Sequence, residues 1–372
     1  MKTIMLIPVF IFGIFTATAQ ISNAVEKLAL PNSLSESSGA IFFNNKLITH
    51  NDSGGENRLF ELDTISGLVT RTVTILNATN VDWEDITQDD TSIYIGDIGN
   101  NSGDRINLKI YKIGKADFLN TTSVTAETIA FSYAAQTDFT ANPNNTEWDS
   151  EALVSFDETN LLLFSKNWVD GTTKAYLVPK TPGTYDLQPL APTLDSGGLI
   201  TGATYNPLTQ KLFTIGYNST LQPFVWVSEN FSGTDVFSGT NTQTGLSQFG
   251  FEQTEAITHI NENRYFITSE SINTSFFSDY AKLISFSTND IALSLDSVIA
   301  ENDIILYPNP VDTFLYVKSK DVISIEIYDT KSAQLYKGND IKVDMSVFSE
   351  GGYVVKINLK NNTSQIKKII KK

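Results

Sequence analysis

Asp82-Trp83-Glu84-Asp85-Ile86-Thr87, then the apolar strand Ile93-Tyr94-Ile95-Gly96 and the polar loop Asp97-Ile98-Gly99-Asn100-Asn101, is the stretch whose reading decides the fold. Its order is an oxygen-bearing residue, a short apolar run, a second β-rich run and a loop of turn-forming residues. The same order returns at Ser38-Gly39-Ala40-Ile41, Glu151-Ala152-Leu153-Val154, Thr201-Gly202-Ala203-Thr204 and Glu255-Ala256-Ile257-Thr258. Each start is followed by a second strand (46–49, 93–96, 161–164, 211–215, 264–268) and a third (58–62, 108–113, 174–178, 223–227, 282–286). A fourth strand is readable at 68–76, at 127–133 and, as the outer candidate of the third unit, at 185–187. The fourth unit runs instead into a Ser/Thr/Gly-rich stretch with no legible strand, and the fifth lacks a fourth strand altogether.

A spare strand at 21–30 supplies what the fifth unit lacks. Repeated four-stranded units whose last sheet is completed by the first strand of the chain predict an all-β protein, a β-propeller with five blades. Six is the alternative count if the long interval from Glu84 to Glu151 hides a degenerate blade. The propeller is expected over 20–288, with a linker at 289–303.

Composition narrows the chemistry. The chain has 372 residues, no cysteine and two histidines, so disulfides, cysteine-ligated metals and a three-histidine zinc site are excluded. Any bound metal is then a hard cation on oxygen ligands. Residues 1–19 read as a signal peptide, with Lys2, an apolar run from Ile4 to Phe15 and Ala17-Thr18-Ala19 before Gln20. No other run is long enough for a transmembrane helix. Residues 21–290 carry 14 basic and 32 acidic groups within a net charge of −16 for the whole chain. Such a surface repels phosphate backbones, which argues against nucleic acid as a partner.

Past the linker, residues 304–372 read as a small Ig-like β-sandwich of short alternating strands. Ile305-Leu306-Tyr307-Pro308-Asn309-Pro310-Val311, the Tyr328-Asp329 turn, the Gly352-Tyr353 strand and the lysine-rich end from Lys367 to Lys372 make this segment resemble the type A carboxy-terminal sorting domain of the type IX secretion system of Bacteroidetes. One glycine usual shortly after the Tyr-Asp pair is replaced by Lys331-Ser332-Ala333. The resemblance implies the type IX machinery as a partner, passage across the outer membrane, and a protein released or held at the cell surface.

Aligning the five starts puts Ser38, Glu84, Glu151, Thr201 and Glu255 in one column, each followed by Gly, Asp or Ala. The first strand of a propeller blade lines the central channel, so the column predicts a ring about the axis, with small neighbours letting backbones crowd. Carboxylates about 6 Å apart repel by roughly 3 kcal/mol per pair at an effective dielectric near 20. That repulsion is offset by a bound divalent cation, by a wide water-filled channel or by shared protons. Calcium, which takes six to eight oxygen ligands, fits best.

The column resembles that of five-bladed calcium-dependent apyrases and, more loosely, of phytase-like propellers, with Thr201 where serine is usual. The resemblance implies calcium-dependent hydrolysis of a phosphoric anhydride or ester. Loops joining second to third strands open on the same face as the column. This makes His50, Asp52, Asn100, Asn101, Arg105, Lys166 and Asn167 candidates to surround that mouth, with Asp97 or Glu270 as general base and Arg105 and Lys166 on phosphate. Trp83 and Trp148 precede Glu84 and Glu151 and are candidates to stack on sugar rings, or else to pack between blades. Three functions remain: a calcium-stabilised binding or scaffold module, a calcium-dependent phosphohydrolase acting on a phosphorylated small molecule, and recognition or cleavage of a surface glycan.

Overall fold

The computed structural model describes residues 21–274, 277–293, 305–318, 322–330, 333–360 and 364–372. The expected signal peptide and most of the expected linker lie outside them. The chain divides into two compact units, 1–292 and 293–372.

The first unit is a ring of five antiparallel sheets. Blade 1 comprises Ser37–Phe43, Lys46–Asn51, Arg58–Leu62 and Val69–Ile75, with the short Ser123–Val124 added in parallel at its edge. Blade 2 comprises Trp83–Gln88, Ser92–Asp97, Lys109–Gly114 and Glu127–Tyr133, and blade 3 Ser150–Ser155, Asn160–Ser165 and Ala175–Pro179. Blade 4 comprises Leu199–Asn206, Lys211–Tyr217, Pro223–Glu229 and Thr240–Gly245. Blade 5 comprises Thr254–His259, Arg264–Ser269 and Lys282–Ser287, and Ser22–Ala29 pairs with the last of these to complete it. The closure expected from the spare strand is therefore present.

Two expectations need correction. The strand at Gly183–Leu187 does not serve blade 3 but lies parallel to Glu127–Tyr133 on blade 2, where its alternating side chains find an open edge. Blade 4 does have a fourth strand, Thr240–Gly245, whose sequence TNTQTG is held by backbone pairing and buries almost nothing. The interval from Glu84 to Glu151 holds the rest of blade 2, a helix at Lys115–Asn120 and the Ser123–Val124 strand, and no sixth blade. Lys211 pairs with Asp290 at 2.6 Å, just beyond the last strand of blade 5.

Burial explains the residue choice. Second strands such as Leu161-Leu162-Leu163-Phe164 are buried on both faces because each blade is covered by two neighbours, while outer strands alternate. The apolar side chains form one cluster at each junction between successive blades. Trp83, Ile41 and Tyr111 belong to the 1–2 junction, Leu153 and Tyr133 to 2–3, Phe164 and Phe224 to 3–4, Phe213 and Tyr265 to 4–5, and Leu47 and Phe266 to 5–1. First-to-second strand turns repeat their chemistry too. Asn44 and Asn45 take positive φ in blade 1, and Asp89, Asp157, Asn206 and Asn261 accept backbone N–H bonds in the others.

Asp85 ties the centre together. Fully buried, it accepts the N–H of Ile86 (2.8 Å) on its own strand, of Leu153 (2.8 Å) on blade 3 and of Ala203 (3.3 Å) on blade 4.

The second unit packs Ile305–Tyr307, Phe314–Lys318 and Lys342–Asp344 as one sheet and Gln334–Gly338, Val322–Tyr328, Gly351–Leu359 and Ser364–Lys371 as another. Leu315, Val317, Ile325, Val355 and Ile357 fill the space between them, as a sandwich requires. No described helix is long and apolar enough to cross a membrane.

Replacing Asp85 by Ala leaves the Leu153 and Ala203 N–H groups buried without partners, and a loss of about 2–4 kcal/mol is expected. Urea unfolding at neutral pH measures it, and an unchanged midpoint would show that Asp85 does not hold the blades.

Candidate functional site: the acidic channel mouth

In all five inner strands the register against the second strand shifts at one equivalent position, between Ser37 and Ala40, Trp83 and Ile86, Ser150 and Ala152, Ile200 and Gly202, and Thr254 and Ala256. Ser38, Glu84, Glu151, Thr201 and Glu255 all lie in these bulges. A bulge inserts an unpaired residue and re-aims its side chain, so one local irregularity repeated five times builds the ring. All five are buried.

A second layer sits above the ring. One position beyond the second-strand partners of Ser37, Trp83, Ser150, Ile200 and Thr254 come Asp52, Ile98, Lys166, Tyr217 and Glu270. A third contribution comes from Glu36, Asp82 and Asp149, two residues ahead of Ser38, Glu84 and Glu151. The strand period of two marks these acids in the sequence, yet only the column itself is singled out by the repeat.

The column members do not act alike. Ser38 donates its hydroxyl to the Glu84 carbonyl at 2.7 Å and Thr201 donates to the Thr254 carbonyl at 2.5 Å, so both stitch neighbouring blades. Glu151 pairs with Lys166 at 2.5 Å, and the Lys166 ammonium also stands 4.9 Å over Trp168 and 5.8 Å over Tyr217. The five therefore do not form a single ligand set. Among the described residues, carboxylate oxygens of Asp52, Asp82 and Glu84 come within 4.8 Å of one another. One oxygen of Asp52, Oδ1, is buried without a hydrogen-bond partner, and Gly99 gives the Glu84 and Asp82 carboxylates room that a Cβ would occupy.

Electrostatics at the mouth are lopsided. Burial, then Asp52, push Asp82 up to about 7, against the pull of Arg105. Burial, then Asp52, push Glu270 up to about 8. Burial, then Glu151, hold Glu84 well above the carboxylate range, and burial, then Glu270, do the same for Glu255. Burial alone pulls Lys166 down, but Glu151, Tyr217 and Glu255 outweigh it and hold it well above its usual value.

Several sequence candidates have other duties. His50 is fully buried, packs edge-on against Trp83 at 5.5 Å, and burial lowers it to about 4, so it is a neutral packing residue and not a substrate contact. Trp83 is fully buried between blades 1 and 2, with its indole N–H on the Thr79 carbonyl at 3.1 Å, which removes it from sugar stacking. Trp148 is half-buried against Tyr133 at 5.6 Å. Asp97 is fully buried and pairs with Arg105 at 2.7 Å, so it has no access for a general-base role and Arg105 is not free for phosphate. Asn100 spends its groups on Asp149, Trp148 and Arg105. Glu270, half-buried and raised, remains beside Asp52 and Glu255, protonated where a base would need its charge.

Raised carboxyls bind protons more tightly folded than unfolded. Their stabilising effect is complete below the unfolded values near pH 4 and is lost as pH rises through about 7 to 8, the values of Asp82 and Glu270. In chelator, the melting temperature is therefore expected to fall between pH 5 and pH 8.5; a flat or rising profile contradicts it. Lys166→Met strands the Glu151 carboxylate and is expected to cost about 3–5 kcal/mol at pH 8 by denaturant unfolding.

Residues 305–372 match the family model described as the secretion system C-terminal sorting domain. No curated protein matches the chain by sequence. Among solved structures, a glucose dehydrogenase is similar with 10% identity, 71% of this chain and 98% of that chain covered, and a TM-score of 0.41. The exo-β-1,3-galactanase 1,3Gal43A from Clostridium thermocellum gives 8% identity, coverage of 92% and 82%, and a TM-score of 0.47. That from Phanerochaete chrysosporium gives 8%, 94% and 100%, and 0.45. At these scores the five-bladed closure rests on the strand pairing itself. The sandwich at the carboxy terminus is a type IX secretion sorting domain, and the chain that carries it is exported to the cell surface or beyond.

Proposed function

We propose that the propeller is a binding module working outside the cell, its channel mouth held together by a calcium ion on Asp52, Asp82 and Glu84. The observation that carries this is the convergence of those three carboxylates within 4.8 Å, with an unpaired Asp52 oxygen among them. Hard carboxylate oxygens suit calcium, and a divalent charge offsets a repulsion that Lys166, already paired with Glu151, leaves standing. Calcium here is structural: it fixes the loops after the second strand of blade 1 and before the first strand of blade 2.

The phosphohydrolase reading has less support. Among the described mouth residues Lys166 is paired with Glu151 and Arg105 with Asp97, and the remaining carboxylates repel a polyanion. A mouth of this charge favours cations and neutral ligands.

Calcium at about a hundred times its dissociation constant is expected to add about 2.7 kcal/mol, a rise of about 5 °C in melting temperature. Glu84→Gln and Asp52→Asn are each expected to abolish the rise while leaving the chelated protein as stable as before or more so. A melting temperature indifferent to calcium and chelator at pH 8 would end the proposal. Phosphate release from nucleotides that depends on calcium would transfer it to the enzyme reading.

A further inference from the structure

The far end of the channel has the opposite chemistry. A cleft of about 710 Å³ opens there, lined by the exits of all five inner strands. Four residues beyond the column, at one register, stand Phe42, Gln88, Ser155, Tyr205 and His259. Where the mouth presents carboxylates and an ammonium, this ring presents an amide, a hydroxyl, an imidazole and two aromatic rings.

Burial holds His259 down to about 4, so the imidazole is uncharged at neutral pH, and its Nδ1 lies 2.9 Å from the Thr204 hydroxyl. The Gln88 amide is oriented by donating Nε2 to the Phe42 carbonyl at 2.9 Å, which leaves its Oε1 buried and without a hydrogen-bond partner. Thr87 accepts the Ser155 N–H at 2.9 Å, leaving its hydroxyl proton for another acceptor. Phe156 packs on Tyr205 at 5.0 Å and extends the aromatic wall. At the rim, Lys180 is taken by Asp89 at 3.0 Å, and Asp90, Asp157 and Glu158 outnumber Lys115.

Uncharged donors and acceptors beside aromatic faces, inside an acidic rim, match a ligand rich in hydroxyls and free of negative charge. We propose that this cleft binds a neutral saccharide, with Gln88 and His259 on its hydroxyls and Tyr205 against a sugar face. The inference supplies the ligand of the binding module and rests on that reading, but not on the cation at the other end of the channel.

The test is a screen of the full exported chain against immobilised neutral and uronate-bearing oligosaccharides, followed by calorimetry with the best neutral oligosaccharide. Gln88→Ala and His259→Ala are each expected to weaken binding tenfold or more, and Thr87→Val, a near-isosteric change, several-fold. The same sugar is expected to raise the melting temperature of the unmodified protein. The unmodified protein measured in chelator is expected to bind the sugar as it does in calcium, so loss of the calcium effect and loss of sugar binding are told apart. Binding to no neutral oligosaccharide, preference for uronates, or affinity unchanged in both Gln88→Ala and His259→Ala overturns the proposal.

Discussion

Five backbones meet around one axis, and their closeness is the constraint on which the propeller depends. Gly39 lies against the Asp85 backbone, and Gly202 lies against the Glu255 carbonyl so tightly that neither position has space for a Cβ. Ala152 and Ala256 occupy the equivalent places on blades 3 and 5. With the centre this crowded, the bulge ahead of each small residue turns its side chain toward the axis. Asp85 is the exception that completes the arrangement: one carboxylate reaches across and serves N–H groups of blades 3 and 4. Burial drives its carboxyl well above the usual range while those N–H groups pull it back.

The same register then produces two chemistries along one axis. Toward the starts of the inner strands the ring positions are three glutamates, a serine and a threonine, with Lys166 the counter-charge; toward their ends they are amide, imidazole, hydroxyl and aromatic. Asp85 stands between the two. The acid end accumulates electrostatic strain and suits an ion; the neutral end leaves hydrogen-bonding capacity unspent and suits an organic ligand. A propeller can keep these apart because its strands run through the whole thickness of the ring.

Much of the fold was legible in residues alone, since the column of Ser38, Glu84, Glu151, Thr201 and Glu255 falls in five equivalent bulges and the spare strand closes blade 5. Partner choice was not legible. The pattern at 183–187 reads as a strand, but nothing in it says whether its edge belongs to blade 2 or blade 3. Thr240–Gly245 has no apolar signal because both its faces are largely open to solvent. At the site, residue type pointed to hard-cation chemistry, but spatial pairing decided roles. By residue type Lys166 and Arg105 are available for phosphate, but the fold pairs them with Glu151 and Asp97. Asp82 precedes Glu84 by two residues on the same blade, but Asp52 comes from a loop of the neighbouring blade, which no linear pattern records.

Ser22 bonds to Ser287 across 265 positions of chain, and that joint sets an order of events. The strand that seals the ring is synthesised first, while the edge it must meet arrives only when nearly the whole propeller is present. Blades can form pairwise from neighbouring sequence, but the final sheet is a contact of very high sequence separation and is expected to form late. For an exported chain, the outer edge of blade 5 is therefore unpaired until both termini of the propeller have reached the same compartment.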